Sequence, residues 1–292
     1  MTASRSGFQS SFHAIIWLTT LICREAMFAG KNQRPFRPSI PQGRRVYAIG
    51  DIHGEINLLR DLLVQVSVDN QKRGPAQTTL VFLGDFIDRG DGAAQLLHMF
   101  AELRDPNVVV LKGNHEAALV EVYRGDKEAL TFWLGFGGKA TMAGLGIDQT
   151  VLASASTASI FPRLQASLER SVVDWLADLP HSWTLGDYFF VHAGIRPGIK
   201  LSKQDQDDLL WIRKPFLVSR RRHEKVIVHG HTIEPTLPRL GGNRIGIDTG
   251  AHEHGCLTAL GLEDDTQWLI QSTDGRASGL QERRPVSDKA PL

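Results

Sequence analysis

Thr79-Leu80-Val81-Phe82-Leu83-Gly84-Asp85-Phe86-Ile87-Asp88-Arg89-Gly90 runs from an apolar strand straight into a glycine-bounded turn that carries two carboxylates and a guanidinium. The same device stands on either side of it. Val46-Tyr47-Ala48-Ile49 leads into Gly50-Asp51-Ile52-His53-Gly54, and Asn107-Val108-Val109-Val110-Leu111 leads to Gly113-Asn114-His115-Glu116. Between these strands, Glu55 to Val66 sets Ile56, Leu59, Leu62, Leu63 and Val66 on one helical face, and Gly92 to Leu103 turns Leu96, Leu97 and Phe100 inward. Strand, helix, strand, helix, strand implies parallel pairing through right-handed crossovers. Ligands of such arrangements bind beyond the carboxyl ends of the strands, and all three polar turns fall there.

Downstream the character changes. Residues 117–181 read as helical, broken at Gly135-Phe136-Gly137-Gly138, and are expected to form an inserted helical cap. Strands return at Tyr188–His192, Lys225–His229, Arg244–Asp248, Cys256–Leu262 and Gln267–Gln271. Their close spacing and turn signals predict a mixed or antiparallel second sheet. The fold class is mixed α/β, with one main domain over residues 44–272. Residues 1–43 read as an extension and linker punctuated by Pro35, Pro38 and Pro41, and residues 273–292 as a disordered polar tail.

Composition narrows the setting. The apolar run Ala14–Ile22 is far short of the ~20 residues a spanning helix needs, so no stable membrane insertion is expected. Lysine plus arginine number 33 against 32 acidic residues, which excludes the clustered basic surplus of a nucleic-acid binder. Two cysteines, Cys23 and Cys256, cannot build a disulfide framework and fit a reducing, cytoplasmic compartment. Cys256 reads as a small buried hydrophobe.

Two further histidine sites, His192-Ala193-Gly194 and His229-Gly230-His231, complete a set of carboxylates, imidazoles and an amide oxygen. Those are the ligand types that suit a pair of divalent transition metals. Asp51 and His53 are two apart in a strand-exit turn and can point one way. Asp85 can bridge two ions through its two oxygens, and Asn114, His192 and His231 can serve the second ion. Two ions ~3.5–4 Å apart stabilise the attacking and leaving oxygens of an in-line displacement at phosphorus and ionise a bridging water near neutrality. Arg89 offers the planar fork that grips phosphate oxygens. His115 is placed to protonate a leaving alkoxide, with Asp88 holding its imidazole in the protonated form. Arg213, in Leu209-Leu210-Trp211-Ile212-Arg213, is either a second phosphate clamp or a surface ion pair. His229 reads as core or as support for the site, and His252 and His254 as a solvated turn. Arg220-Arg221-Arg222 reads as solvated charge or a patch steering an acidic substrate, and Trp133, Trp175, Trp183 and Trp211 as packing.

At these residues the chain resembles the bacterial-type branch of the phosphoprotein phosphatases, a family of metallophosphoesterases. The family's signature of GDxHG, GDxVDRG and GNHE stands here as Gly50–Gly54, Gly84–Gly90 and Gly113–Glu116, with Ile87 the one difference. The resemblance runs from about Arg44 to about Leu262. Asp88-Arg89-Gly90 is not general among metallophosphoesterases, and Ile233 stands where many of them carry a second histidine after Gly230-His231. The resemblance implies the calcineurin-like metallophosphoesterase fold, a central β-sandwich flanked by helices. It implies one metal on Asp51, His53 and Asp85 and another on Asp85, Asn114, His192 and His231, manganese first, with iron and zinc as the other choice. Phosphate would meet Arg89, Asn114, His115 and Arg213, with His115 and Asp88 as the acid pair. The implied activity is hydrolysis of phosphoserine and phosphothreonine in proteins and peptides by direct attack of a metal-bridging hydroxide. A symmetrical dinucleoside tetraphosphatase shares all these motifs and is the alternative. A non-catalytic scaffold would need none of the ligands, nor Arg89, nor His115. The Ser-Ala-Pro-Asn-Tyr-Cys loop of eukaryotic members is absent, and Asp248-Thr249-Gly250-Ala251 stands near its place.

Overall fold

A computed structural model describes residues 37–147, 157–234, 238, 240 and 243–274. The expectations for residues 1–36, for Cys23 and for residues 275–292 lie outside them. The architecture belongs to the compact unit Pro38–Leu292.

The three motif-bearing strands pair as the sequence pattern requires. β1 (Arg44–Ile49) lies parallel to β2 (Gln77–Phe82), with Ile49 opposite Phe82, and β2 lies parallel to β3 (Val108–Val110). Their crossovers are helices α1 (Ile56–Lys72) and α2 (Ala93–Glu102). β1 is buried on both faces, as a near-continuous apolar strand should be. Val46 and Ala48 enter a layer between two sheets, while Tyr47 and Ile49 meet the helices. Helix α1 continues past Val66 to Lys72 because polar anchors replace apolar burial in its last turns. Asp69 accepts hydrogen bonds from Tyr47 (2.7 Å) and Trp268 (3.0 Å), and Asn70 accepts one from Arg45 (2.7 Å). A pattern of apolar residues does not register such a segment.

Among the described residues, five helices stand between β3 and the second sheet: α3 (Asn114–Tyr123), α4 (Lys127–Phe136), α5 (Gly138–Gly144), α6 (Thr157–Ser167) and α7 (Arg170–Asp178). Their buried Leu119, Leu130, Met142, Leu164 and Leu176 share one core with Phe86, Leu96 and Phe100. The Gly135–Gly138 break is the α4–α5 corner. Gly137 has φ +134°, and a Cβ there would sit 2.7 Å from Cγ of Arg89, so this corner lets a helix end press directly on the second motif.

The second sheet has the order β4-β5-β6-β7, made of Ser182–Leu185, Tyr188–Val191, Val226–His229 and Arg244–Gly246. β5, β6 and β7 are parallel, and β4 is antiparallel to β5. β4 is a strand the sequence reading did not foresee, although Gly186-Asp187 between two short apolar runs is a hairpin signal. A correction applies to the last two strands. β8 (Cys256–Glu263) and β9 (Thr266–Thr273) join the first sheet, in the order β3-β2-β1-β8-β9, with β8 antiparallel to β1. β8 is buried on both sides, Leu257 and Ala259 toward the helices and Leu260 and Leu262 between the sheets. Such a strand fits either sheet by its own pattern.

The layer between the sheets takes Val81, Leu83 and Leu111 from one side and Phe190, Val228 and Ile245 from the other. Beyond the second sheet, Phe189, Val191 and Ile227 are covered by Leu209, Ile212 and Phe216, which belong to α8 (Gln206–Trp211), the residue after it, and α9 (Lys214–Leu217). The result is helix, sheet, sheet, helix. Before β1, Ser39 donates to Asp187 (3.0 Å) and the amide of buried Ile40 to the carbonyl of Asp264 (2.9 Å). Cys256 is fully buried on β8. Among the described residues no helix is long and apolar enough to cross a membrane.

Candidate active site

The turns after β1, β2 and β6 are made under backbone constraint. His53, Asp85, Asp88, Arg89 and His231 all have φ between +48° and +69°, and they are five of the six non-glycine residues with positive φ among the described residues. A left-handed conformation costs a non-glycine residue about 1 kcal/mol or more, and such residues gather where function fixes them. Close approach adds to this. A Cβ on Gly230 would lie 2.0 Å from Oδ1 of Asp51, so only glycine lets the His231 turn reach that carboxylate. Both oxygens of Asp51 accept from the His231 amide, at 3.2 and 3.0 Å.

Asp85 is the hub. Its Oδ2 lies 3.4 Å from Nε2 of His192 and 3.7 Å from Nε2 of both His53 and His115. Asn114 Oδ1 lies 2.8 Å from Nε2 of His192. Two clusters of donor atoms result: His53, Asp85 and His115, and Asp85, His192 and His231, the atoms of each within 4.8 Å of one another. Asp51 sits behind His231, and all of these residues are buried.

The donor set fits cations. His53 gives Nδ1–H to the carbonyl of Ile87 (3.1 Å), and burial holds its imidazole well below the usual range, so it is neutral. Its bare Nε2 then faces a carboxylate oxygen, an arrangement a cation between them would reconcile. Nε2 of His231 is buried with no hydrogen-bond partner among the described residues. Burial and the charge of Asp248 push Asp51 well above the carboxylate range. Burial alone would also raise Asp85, but His192 and His115 hold it well below that range. His192 has Nδ1 3.0 Å from the carbonyl of Leu83. Burial pulls its pKa down, yet the charge of Asp85 carries it up to about 9, a proton that a bound metal displaces. Carbonyls at Nδ1 of His53 and His192 fix the ring orientation in the way metal-ligating histidines require.

Beside the hub stands a second group. Nδ1 of His115 lies 2.6 Å from Oδ2 of Asp88. That carboxylate also accepts from the Trp133 indole (2.6 Å), and its other oxygen accepts from the Thr141 hydroxyl. Burial opposes a charge on His115, but Asp85 and Asp88 raise its pKa above 6.5. Arg89 Nη2 lies 3.4 Å from Nε2 of His115, and the Arg89 amide donates to the carbonyl of Gly137 (3.2 Å). Glu116 is fully buried, and its carboxylate accepts four amides: Asp85 (2.8 Å), Phe86 (3.0 Å), Ile87 (3.2 Å) and Gly113 (2.9 Å).

A cavity of about 520 Å³ opens over these groups, and Arg89, Asn114, His115, Arg213 and Asp248 are among its lining residues. The structure thus brings every candidate residue of the sequence analysis to one place. His229 lies beneath, buried against Phe216 (5.0 Å between rings). His252 pairs with Glu55 (3.0 Å) and belongs to neither donor cluster. Sequence reasoning missed Thr141, the polar role of Trp133, and Asp248, a buried carboxylate that burial pushes up to about 6. It also placed Trp211 in packing, whereas Trp211 lines the cavity.

A family model described as calcineurin-like phosphoesterase matches residues 44–256. The chain belongs to that family. Among its relatives, the symmetrical bis(5'-nucleosyl)-tetraphosphatase of Aromatoleum aromaticum is 28% identical over 202 residues, 68% of this chain and 57% of the relative. Serine/threonine-protein phosphatase 2 of Escherichia coli is 38% identical over 96 residues, 32% of this chain and 39% of the relative. The chain therefore spans little more than half the length of the first and less of the second. The Escherichia coli match agrees with the phosphoprotein phosphatase signature at Gly84–Gly90. A crystal structure provisionally named a diadenosine tetraphosphatase has a TM-score of 0.53 at 23% identity, over 79% of this chain and 95% of that one, and shares the fold.

Proposed function

We propose that this phosphoesterase hydrolyses phosphorus–oxygen bonds at the Asp85 hub, with two divalent ions held by Asp51, His53, Asp85, Asn114, His192 and His231. The observation that carries the reading is the carboxylate oxygen of Asp85 set 3.4–3.7 Å from three imidazole nitrogens, with Arg89 alongside. The ions, manganese first, would supply Lewis acidity toward phosphate and water. The protein's own groups do the rest. Arg89 and Arg213 bind the non-bridging oxygens and offset the charge that builds on them. His115 gives its Nε2 proton to the leaving oxygen, while Asp88 at Nδ1, itself pinned by Trp133 and Thr141, keeps that ring charged and aimed.

A pH prediction follows from the raised pKa of His115. The proton donor is present below its folded pKa and lost as pH rises through it, so the alkaline limb of kcat lies above pH 6.5. Asp88→Asn removes one cause of the rise, and the limb shifts to lower pH. An unchanged limb in this variant would remove His115 from the acid role.

For the substrate, the cleft geometry favours a symmetrical dinucleoside tetraphosphate. A second cleft, lined by Asp91, Lys139 and His252, meets the first at the shared residues Arg89 and Phe136. A substrate cut at its middle has to leave the hub in both directions. The second reading, phosphoserine or phosphothreonine in proteins, is favoured by the Escherichia coli relative. Incubation of the full chain with Mn²⁺, diadenosine tetraphosphate and a phosphoserine peptide separates them. Nucleoside diphosphate as the sole nucleotide product, formed faster than phosphate from the peptide, supports the first; the reverse order supports the second.

A further inference from the structure

Among the described residues, the only exposed phenylalanine and tryptophan side chains are Phe132, 56% exposed, and Trp211, 37% exposed. Both line the catalytic cavity. They are parts of one wall. Phe136 stands edge-on to His115 at 4.4 Å, Phe132 lies 4.4 Å from Phe136 and 5.6 Å from Trp211, and Trp211 stands edge-on to His231 at 6.3 Å. The rings thus span the mouth from the Asp88–His115 pair to the His231 turn. Arg89 and Arg213 line the same cavity.

Exposed aromatic rings beside guanidinium groups match a ligand that is planar at one end and phosphorylated at the other. Phosphoserine and phosphothreonine have no such plane. Polar groups for a heterocyclic edge are also present. Thr232 Oγ1 is buried without a hydrogen-bond partner among the described residues, and Thr232 and Glu253 both line the cavity.

We propose that Trp211 and Phe132 form a stacking surface for the nucleobase of a bound nucleotide, so that this wall selects the substrate while the Asp85 hub performs the chemistry. The inference rests on the dinucleotide reading above and goes further in assigning the base to these rings. Aromatic stacking is sequence-tolerant because every base has a π-face, so adenine and guanine nucleotides are both expected to bind.

The test separates base from phosphate. ADP and inorganic pyrophosphate are titrated into the Mn²⁺-loaded full chain by calorimetry, for wild type, Trp211→Ala and Phe132→Ala, with melting curves to confirm folding. Each substitution is expected to weaken ADP at least fivefold and to leave pyrophosphate within twofold. Trp211→Phe, which keeps a ring, restores most of the ADP affinity. Equal loss for both ligands, or no loss for ADP, would overturn the proposal. The hydrolysis reading fails on a different result: wild type that binds ADP but cleaves neither diadenosine tetraphosphate nor a phosphopeptide.

Discussion

Exchanging Asp85 for asparagine is expected to lower turnover by more than about 100-fold, the range in which removal of one electrostatic stabiliser falls, and to lower metal content at the same time. The side chain is isosteric, and the His115 amide that now bonds Oδ1 at 3.0 Å still finds a carbonyl oxygen. What disappears is the negative charge facing His53, His115 and His192. Without it the hub loses the group that can face two ions, and His192 loses the largest of the influences that raise its pKa. The metal-free protein should stay folded, because burial drives the proton off His192 once the charge of Asp85 is gone, so that imidazole is not left as an unpaired buried charge. Activity on p-nitrophenyl phosphate with Mn²⁺, metal content by mass spectrometry and a melting curve check the three statements together. Near wild-type turnover in a folded Asp85→Asn protein would end the two-metal reading.

The reason this hub was legible in the sequence is local. Each ligand follows an apolar strand by one to four residues, so strand order alone brings Asp51, Asp85 and Asn114 to neighbouring strand ends. The left-handed backbone at Asp85, Asp88 and Arg89 was not legible, because no propensity favours φ > 0 for an arginine. It is imposed from outside, by Glu116 on the amides and Gly137 on Arg89. Thr141 and Trp133 sit on helices whose pattern reads as packing, and only the α4–α5 corner turns them onto Asp88. Trp211 looks like a core residue in sequence because its neighbours Leu209, Leu210 and Ile212 are. The pairing of β8 with β1 was hidden for a similar reason: a strand buried on both faces carries no record of its partner.

Glu116 gives the largest expected effect on stability. One buried carboxylate serves four backbone amides, two on each oxygen: Phe86 and Ile87 on Oε1, Asp85 and Gly113 on Oε2. Three of those amides belong to the turn that carries Asp85, and the fourth precedes Asn114. Glu116→Ala leaves all four buried without a partner. At about 1–3 kcal/mol for each unmet group, the sum reaches the scale of a whole domain's stability, so the expected product is unfolded or aggregated protein. Glu116→Gln keeps the shape but has one oxygen. Its amide nitrogen would face two N–H donors, whichever way it turns. The expected loss is then about 2 kcal/mol or more, or about 4–8 °C in melting temperature. Because the turn that slackens also positions Asp85, metal affinity should fall in the same variant although Glu116 touches no ion. Calorimetric metal titration of Glu116→Gln beside its melting curve tests this coupling. A protein that melts earlier but binds metal as wild type does would make Glu116 a stabiliser of the fold alone; one that melts and binds as wild type does would remove it from both roles.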